Sequence, residues 1–194
     1  MNRAAPVSDT TATLHVRRAT AADIPALLQL VTDAYRGEAS RVGWTTEADL
    51  LEGNRIDAQG LEADLSRARS VILVATDGTM PVACAHVADD DGVGYFGMFA
   101  VQPRLQGLGI GKRLLAEAER LARDEWDLVV MRMTVIDVRV DLMAFYERHG
   151  YRRTGIHKPF PYGNPRYGTP LRDDLRFEVL EKPMVPAGAG TGAR

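Results

Sequence analysis

With 194 residues, 45% of them apolar and 26% charged, the chain has material for one domain with a sizeable core. A formal net charge of -2, with basic residues scattered rather than run together, excludes a global positive field for nucleic acid or anionic lipid. One cysteine, Cys84, excludes an internal disulfide, and no apolar window approaches the length of a membrane span.

Residues 1–13 lack an apolar core, so no signal peptide is expected, and a soluble cytoplasmic protein is the default. Leu14 to Arg18 alternates apolar and polar residues as a half-buried strand does. Thr20 caps a predicted helix whose apolar stripe is Ile24, Leu27, Leu28, Val31 and Tyr35. The polar stretch from Gly37 to Gly60 has no single period. A short helix over Thr46 to Leu51, capped by Thr46, and another over Leu61 to Ala68 are expected there.

Val71 to Ala75 is continuously apolar and reads as a strand buried on both faces. Asp77-Gly78 marks a turn, Val82 to Ala88 the returning strand, and Val93 to Val101 a third antiparallel neighbour. Cys84 and His86 read as strand residues. Ile110, Leu114, Leu115, Ala118, Leu121 and Ala122 recur at helical spacing. A strand follows over Leu128 to Ile136, then a helix over Asp141 to His149 stopped by Gly150. Tyr151 to His157 and Leu175 to Glu181 close the sheet across a long Pro/Gly-rich loop, and long loops are often functional. The Gly/Ala-rich tail from Val185 is expected to be flexible, as are residues 1–13, leaving one domain over 14–184.

The chemistry concentrates at Gln106-Gly107-Leu108-Gly109-Ile110-Gly111-Lys112, between a strand and a helix. Alternate glycines open backbone conformations closed to other residues and admit a ligand close to the main chain. The uncapped N–H groups and dipole of the following helix suit a pyrophosphate. A Walker A loop would need Ser or Thr after Gly111-Lys112, where Arg113 stands. A dinucleotide fingerprint would need G-x-G-x-x-G early in a βαβ unit; here the spacing is G-x-G-x-G after an antiparallel meander.

The segment resembles motif A of the GNAT superfamily, Q/R-x-x-G-x-G/A, with Gln106, Gly109 and Gly111 at the required positions. Phe145-Tyr146-Glu147-Arg148-His149-Gly150-Tyr151 is similar to a second segment of that family. The resemblance implies a mixed α/β GNAT-like fold: a mostly antiparallel, splayed sheet of six to seven strands flanked by about four helices. It implies an acetyl-CoA-dependent N-acetyltransferase; no metal is expected, and the charge and hydropathy above predict no nucleic-acid or membrane partner. Acetyl-CoA would lie between the strand ending at Val101 and the strand beginning at Leu128. Backbone groups of Phe99, Ala100 and Val101 would meet its pantetheine arm. Gln106 and the main chain of Gly107, Leu108, Gly109, Ile110, Gly111 and Lys112 would form its pyrophosphate site. Tyr146 matches the family's general-acid tyrosine, although its spacing also fits an ordinary core residue. The acceptor is a small-molecule or peptide amine, and homodimers occur in the family.

The family's cofactor-touching Asn falls on Arg139, which reads as a surface residue, and no Asn contact is carried over. The strand before the glycine turn holds no carboxylate. Glu47 and Asp49 are therefore candidate bases, with His86 and His157 behind them. Trp44, Glu47 and Tyr162 are candidate acceptor-side residues, the last in the loop Phe160 to Pro165. No basic cluster along the sequence points to an acidic acceptor. The alternative reading is a catalytically silent domain that binds acyl-CoA.

Overall fold

A computed structural model describes residues 14–164 and 167–185. The expected flexible tails, 1–13 and 185–194, lie outside the described residues apart from Val185, as does Pro165.

In chain order the elements are β1 (His15–Arg18), α1 (Ile24–Tyr35), the one-turn α2 (Gly37–Ser40), β2 (Leu51–Glu52), α3 (Ala58–Ser66), β3 (Ser70–Thr76), β4 (Pro81–Asp90) and β5 (Val93–Val101). There follow α4 (Ile110–Trp126), β6 (Val130–Ile136), α5 (Val140–Arg148), β7 (Arg152–Pro159), β8 (Thr169–Pro170) and β9 (Arg176–Pro183). Seven strands form one sheet in the order β1-β3-β4-β5-β6-β9-β7, and β2 pairs with β8 apart from it. Every pairing in the large sheet is antiparallel except β5 with β6. The expected mixed, mostly antiparallel sheet is therefore present, with five helices among the described residues.

The continuous apolar run of β3 is explained by cover on both faces. Leu73 and Ala75 pack with α4, while Ile72 and Val74 pack with α1 and Leu61 of α3. Helix α4 buries the predicted stripe Ile110, Leu114, Leu115, Ala118, Leu121 and Ala122. Each fully buried leucine there contributes about 1.5–3 kcal/mol over exposure.

The helix expected over Thr46 to Leu51 does not form; turns lead into β2 instead. Glu47 is pulled inward, its N–H donating to the Tyr35 carbonyl (2.9 Å) and its carboxylate pairing with arginines. The Thr46 hydroxyl closes a local turn by accepting from the Ala48 N–H (3.1 Å). Tertiary ion pairing overrides the local cap signal.

Candidate active site

Strands β5 and β6 touch only at Gly94–Met131 and Tyr95–Arg132, and then part. A bulge drives the separation. The β4–β5 register shifts between Cys84 and His86, and Met98 takes a left-handed φ of 44°. A bulge bends its strand and re-aims the residues beyond it. From Phe96 to Val101, β5 therefore has no β6 neighbour and leaves a V-shaped opening.

The glycine turn closes the mouth of this V. Gly107 (φ 82°) and Gly109 (φ 81°) are both left-handed, a conformation that costs a side-chain-bearing residue about 1–2 kcal/mol. Gly109 is the N-cap of α4 and no side chain caps the helix, so its first N–H groups stay available. The first helical bond runs from the Arg113 N–H to the Gly109 carbonyl (3.1 Å). Gly111 serves packing instead: a Cβ there would sit 2.9 Å from the Phe99 ring. Leu108 stands 70% exposed. Lys112, Arg113 and Arg104 are exposed and make no ion pair among the described residues. Available N–H groups, a helix dipole and exposed cations together suit a pyrophosphate.

Gln106 is engaged inside the protein. Its side chain accepts from the Trp44 N–H (2.9 Å) and donates to the Thr45 hydroxyl (2.8 Å) and the Val101 carbonyl (3.1 Å). The Phe99 carbonyl accepts from the Tyr35 hydroxyl. Two carbonyls of the β5 edge are thus already partnered, each with one lone pair left.

Deeper in the V lies a narrow cleft, lined by Tyr35, Glu47, Arg55, Phe99, Arg139 and Tyr146 among others. Its polar wall is an ion cluster. Glu47, 2% exposed, accepts from Arg36 Nη1 (2.5 Å), Arg139 Nη1 (2.8 Å) and Arg55 Nη1 (3.1 Å). Burial alone would raise the Glu47 carboxyl, but attraction to Arg55, Arg139 and Arg36 outweighs it and holds the group at about 2. Such a carboxylate is too weak a base to deprotonate an amine. Arg139 also donates to the Thr45 carbonyl (2.6 Å), and the Arg55 guanidinium lies 4.1 Å over the Tyr35 ring. Arg139 is therefore a cleft residue whose side chain is only 8% exposed, and not the surface arginine expected.

Tyr146 lies in the wall of the cleft. It is 5% exposed, lines the cleft and packs edge-on against Phe96 and Tyr151. Burial pushes its phenol well above the usual value, so it stays protonated. Its hydroxyl takes no hydrogen bond among the described residues, unlike that of Tyr35.

Other candidates lie elsewhere. Trp44, 47% exposed, contacts the Phe145 ring (5.7 Å) above the opening rather than in the cleft. Tyr162 is two rings removed: it packs on Phe160 (5.1 Å), which packs on Phe177 of the cleft, and its hydroxyl accepts from the Leu175 N–H (2.6 Å). Asp49 is exposed and paired with Arg41 (2.8 Å). His86 is tied to the Ser70 hydroxyl (2.8 Å) outside the cleft, and His157 lies beside Glu178 (3.9 Å). Cys84 is buried, and burial raises its thiol to about 12, which leaves it inert. Sequence reading placed Tyr35 only in the apolar stripe of α1 and passed over Arg36 and Arg55. These positions carry no motif and converge only in space.

The profile of the Acetyltransferase (GNAT) family matches residues 25–151. The chain belongs to the GNAT acetyltransferase family. Mycothiol acetyltransferase of Cellulomonas flavigena is 32% identical over 109 residues, which cover 55% of this chain but only 30% of that protein. The GNAT fold recurs in the ribosomal-protein-S18-alanine N-acetyltransferase of Escherichia coli (TM-score 0.66, 14% identity, 92% of this chain and 99% of that one). It recurs in the ribosomal-protein-alanine N-acetyltransferase of Brucella melitensis (TM-score 0.66, 22% identity, 88% and 99%). A Bacillus anthracis acetyltransferase solved with acetyl coenzyme A aligns with a TM-score of 0.53 at 18% identity over 64% of this chain and 68% of that one. Below 25% identity these structures share the GNAT fold with this chain and nothing finer. No helix among the described residues is long and apolar enough to cross a membrane.

Proposed function

We propose that this GNAT chain is an N-acetyltransferase that takes the acetyl group from acetyl-CoA and delivers it directly to a primary amine. The observation that carries this reading is one V-shaped opening with an uncapped, left-handed glycine turn at its mouth and an unpartnered tyrosine hydroxyl inside. Bound acetyl-CoA supplies the electrophile, a thioester carbonyl. The turn 107–112 holds the pyrophosphate with main-chain N–H groups, and the open edge of β5 from Phe99 to Val101 aligns the arm.

Tyr146 then manages one proton. As the amine attacks and the carbon–sulfur bond breaks, the nitrogen must lose a proton and the sulfur gain one. The phenol (about 10 in water) donates toward the leaving thiolate (about 8.5). Burial makes a lasting phenolate costly, so Tyr146 recovers its proton from the attacking nitrogen. Among the described residues, the cleft offers no other base: Glu47 is ion-paired and no histidine lines it. The three guanidinium charges around one carboxylate disfavour an ammonium nearby, so the acceptor enters neutral, its proton left to water.

Isothermal titration with acetyl-CoA tests the binding half, and no binding at millimolar ligand would sink the proposal. Thiol release across an amine panel tests the chemistry. Tyr146→Phe is expected to lower kcat by about 100-fold or more, at unchanged acetyl-CoA affinity. Its folding stability should stay within about 0.5 kcal/mol, because the lost hydroxyl has no partner. Binding without turnover on any amine would instead favour a silent acyl-CoA-binding domain.

A further inference from the structure

The ion cluster does more than hold Glu47. We propose that the acceptor is an amine carrying a carboxylate close to its nitrogen, and that Arg55 and Arg139, backed by Arg36, grip that carboxylate in the cleft. This rests on the acetyltransferase reading and narrows its substrate.

Three guanidinium groups meet one carboxylate, leaving an excess of two positive charges among the described residues. Glu47 has no capacity left: Oε1 accepts from Arg139 (2.8 Å) and Arg55 (3.4 Å), Oε2 from Arg36 (2.5 Å) and Arg55 (3.1 Å). Donors remain over. Arg36 Nε and Nη2 and Arg55 Nε are buried and unpartnered. Buried charge without a partner is costly, and a cluster built only for stability would match its charges.

Arg55 and Arg139 line the cleft with Arg36 outside its lining, so the excess charge stands at the cleft wall while the unpartnered Arg36 donors and Arg55 Nε stay buried within the cluster. Guanidinium forks match the planar, bidentate geometry of a carboxylate. The rest of the wall is largely apolar, with Phe96, Met133, Val135 and Leu142 among its side chains, so a bound anion would find its polar partners in the arginines. Arg139 is the N-cap of α5 and Tyr146 lies seven residues on, on the same face as Leu142. At about 1.5 Å per residue that is roughly 10 Å along the axis. Arg139 and Tyr146 thus line one cleft from successive turns of the same helix face, so a carboxylate held at Arg139 keeps its amine on the wall that carries Tyr146.

The test compares free amino acids with their C-terminal amides as acceptors, by thiol release from acetyl-CoA, with phosphoethanolamine as a third arm. At least one amino acid should exceed its amide about tenfold or more in kcat/KM. Arg55→Gln and Arg139→Gln should each erase that preference, mainly through KM, while acetyl-CoA affinity holds; Arg55→Lys should restore part of it. Thermal unfolding of each variant checks that the fold persists. If a variant does not fold, the amino acid against amide comparison on the unaltered chain decides alone. Amides as good as free acids, a preference that survives Arg55→Gln, or preference for phosphoethanolamine would overturn the carboxylate assignment and leave the acetyltransferase reading standing. If nothing turns over, titration with N-acetyl amino acids against their amides decides: equal binding overturns the proposal. If acetyl-CoA itself fails to bind, the functional reading falls, while the same titration still judges the carboxylate pocket.

Discussion

Glu47 shows how a side chain's surroundings decide its chemistry. Its position between the first helix and the buried strand makes it a fair candidate for a base, and three arginines turn it into a fixed counter-ion. Removing one member of such a buried cluster costs about 3–5 kcal/mol, because the remaining charges lose their compensation. Glu47→Gln is therefore expected to lose about that much stability at pH 7 in urea unfolding. The dependence on pH has a definite sign. The folded carboxyl lies at about 2 against an ordinary 4.5, so its contribution is complete above 4.5 and fades as pH falls toward 2. The gap between the unaltered chain and Glu47→Gln should narrow over that window. A gap that stays constant from pH 7 down to pH 3 would show that Glu47 is held by something other than its charge.

At the scale of the element, the turn before α4 divides its labour among three glycines. Gly107 and Gly109 supply left-handed backbone, and Gly111 admits the Phe99 ring. Gln106 then pins the turn to β5 and to the segment carrying Trp44 and Thr45. Gly109→Ala keeps the charge and adds only a Cβ, with no neighbour within 4 Å to clash. Its effect must come through the backbone, at about 1–2 kcal/mol of left-handed strain. We expect a roughly tenfold loss of acetyl-CoA affinity by calorimetry, together with a lower unfolding midpoint. Unchanged affinity would mean that the turn is merely a connection.

For the whole molecule, the consequence is a sheet held together at one end and open at the other. β5 and β6 share two residue pairs, while β4–β5 and β6–β9 pair along most of their lengths. The open edge should be the part of the sheet most responsive to ligand. Amide hydrogen exchange is expected to slow over 96–101 and 107–112 when acetyl-CoA is added, with little change in β1 and β3. Protection spread evenly over the sheet would point to general stabilisation rather than to a ligand seated in the V.

Most of the fold was legible along the chain, because the strands and helices are local patterns: period two in β1, a continuous apolar run in β3, and the stripe of α4. The glycine turn was legible as a compact motif whose spacing is tied to one backbone geometry, whereas Tyr146 became a candidate only through the resemblance of residues 145–151 to a family segment. The ion cluster was not. Arg36, Glu47, Arg55 and Arg139 share no spacing, and Arg139 read as a surface residue until the sheet carried it against the segment after α1. Thr46 misled for the same reason, a local cap signal outweighed by distant charges. The sequence by itself thus determined the fold class and the motif through which acetyl-CoA is proposed to bind, since both are written in short-range pattern. Only the tertiary structure decided the charge of the cleft, because that charge is the sum over residues that folding brings together from across the chain.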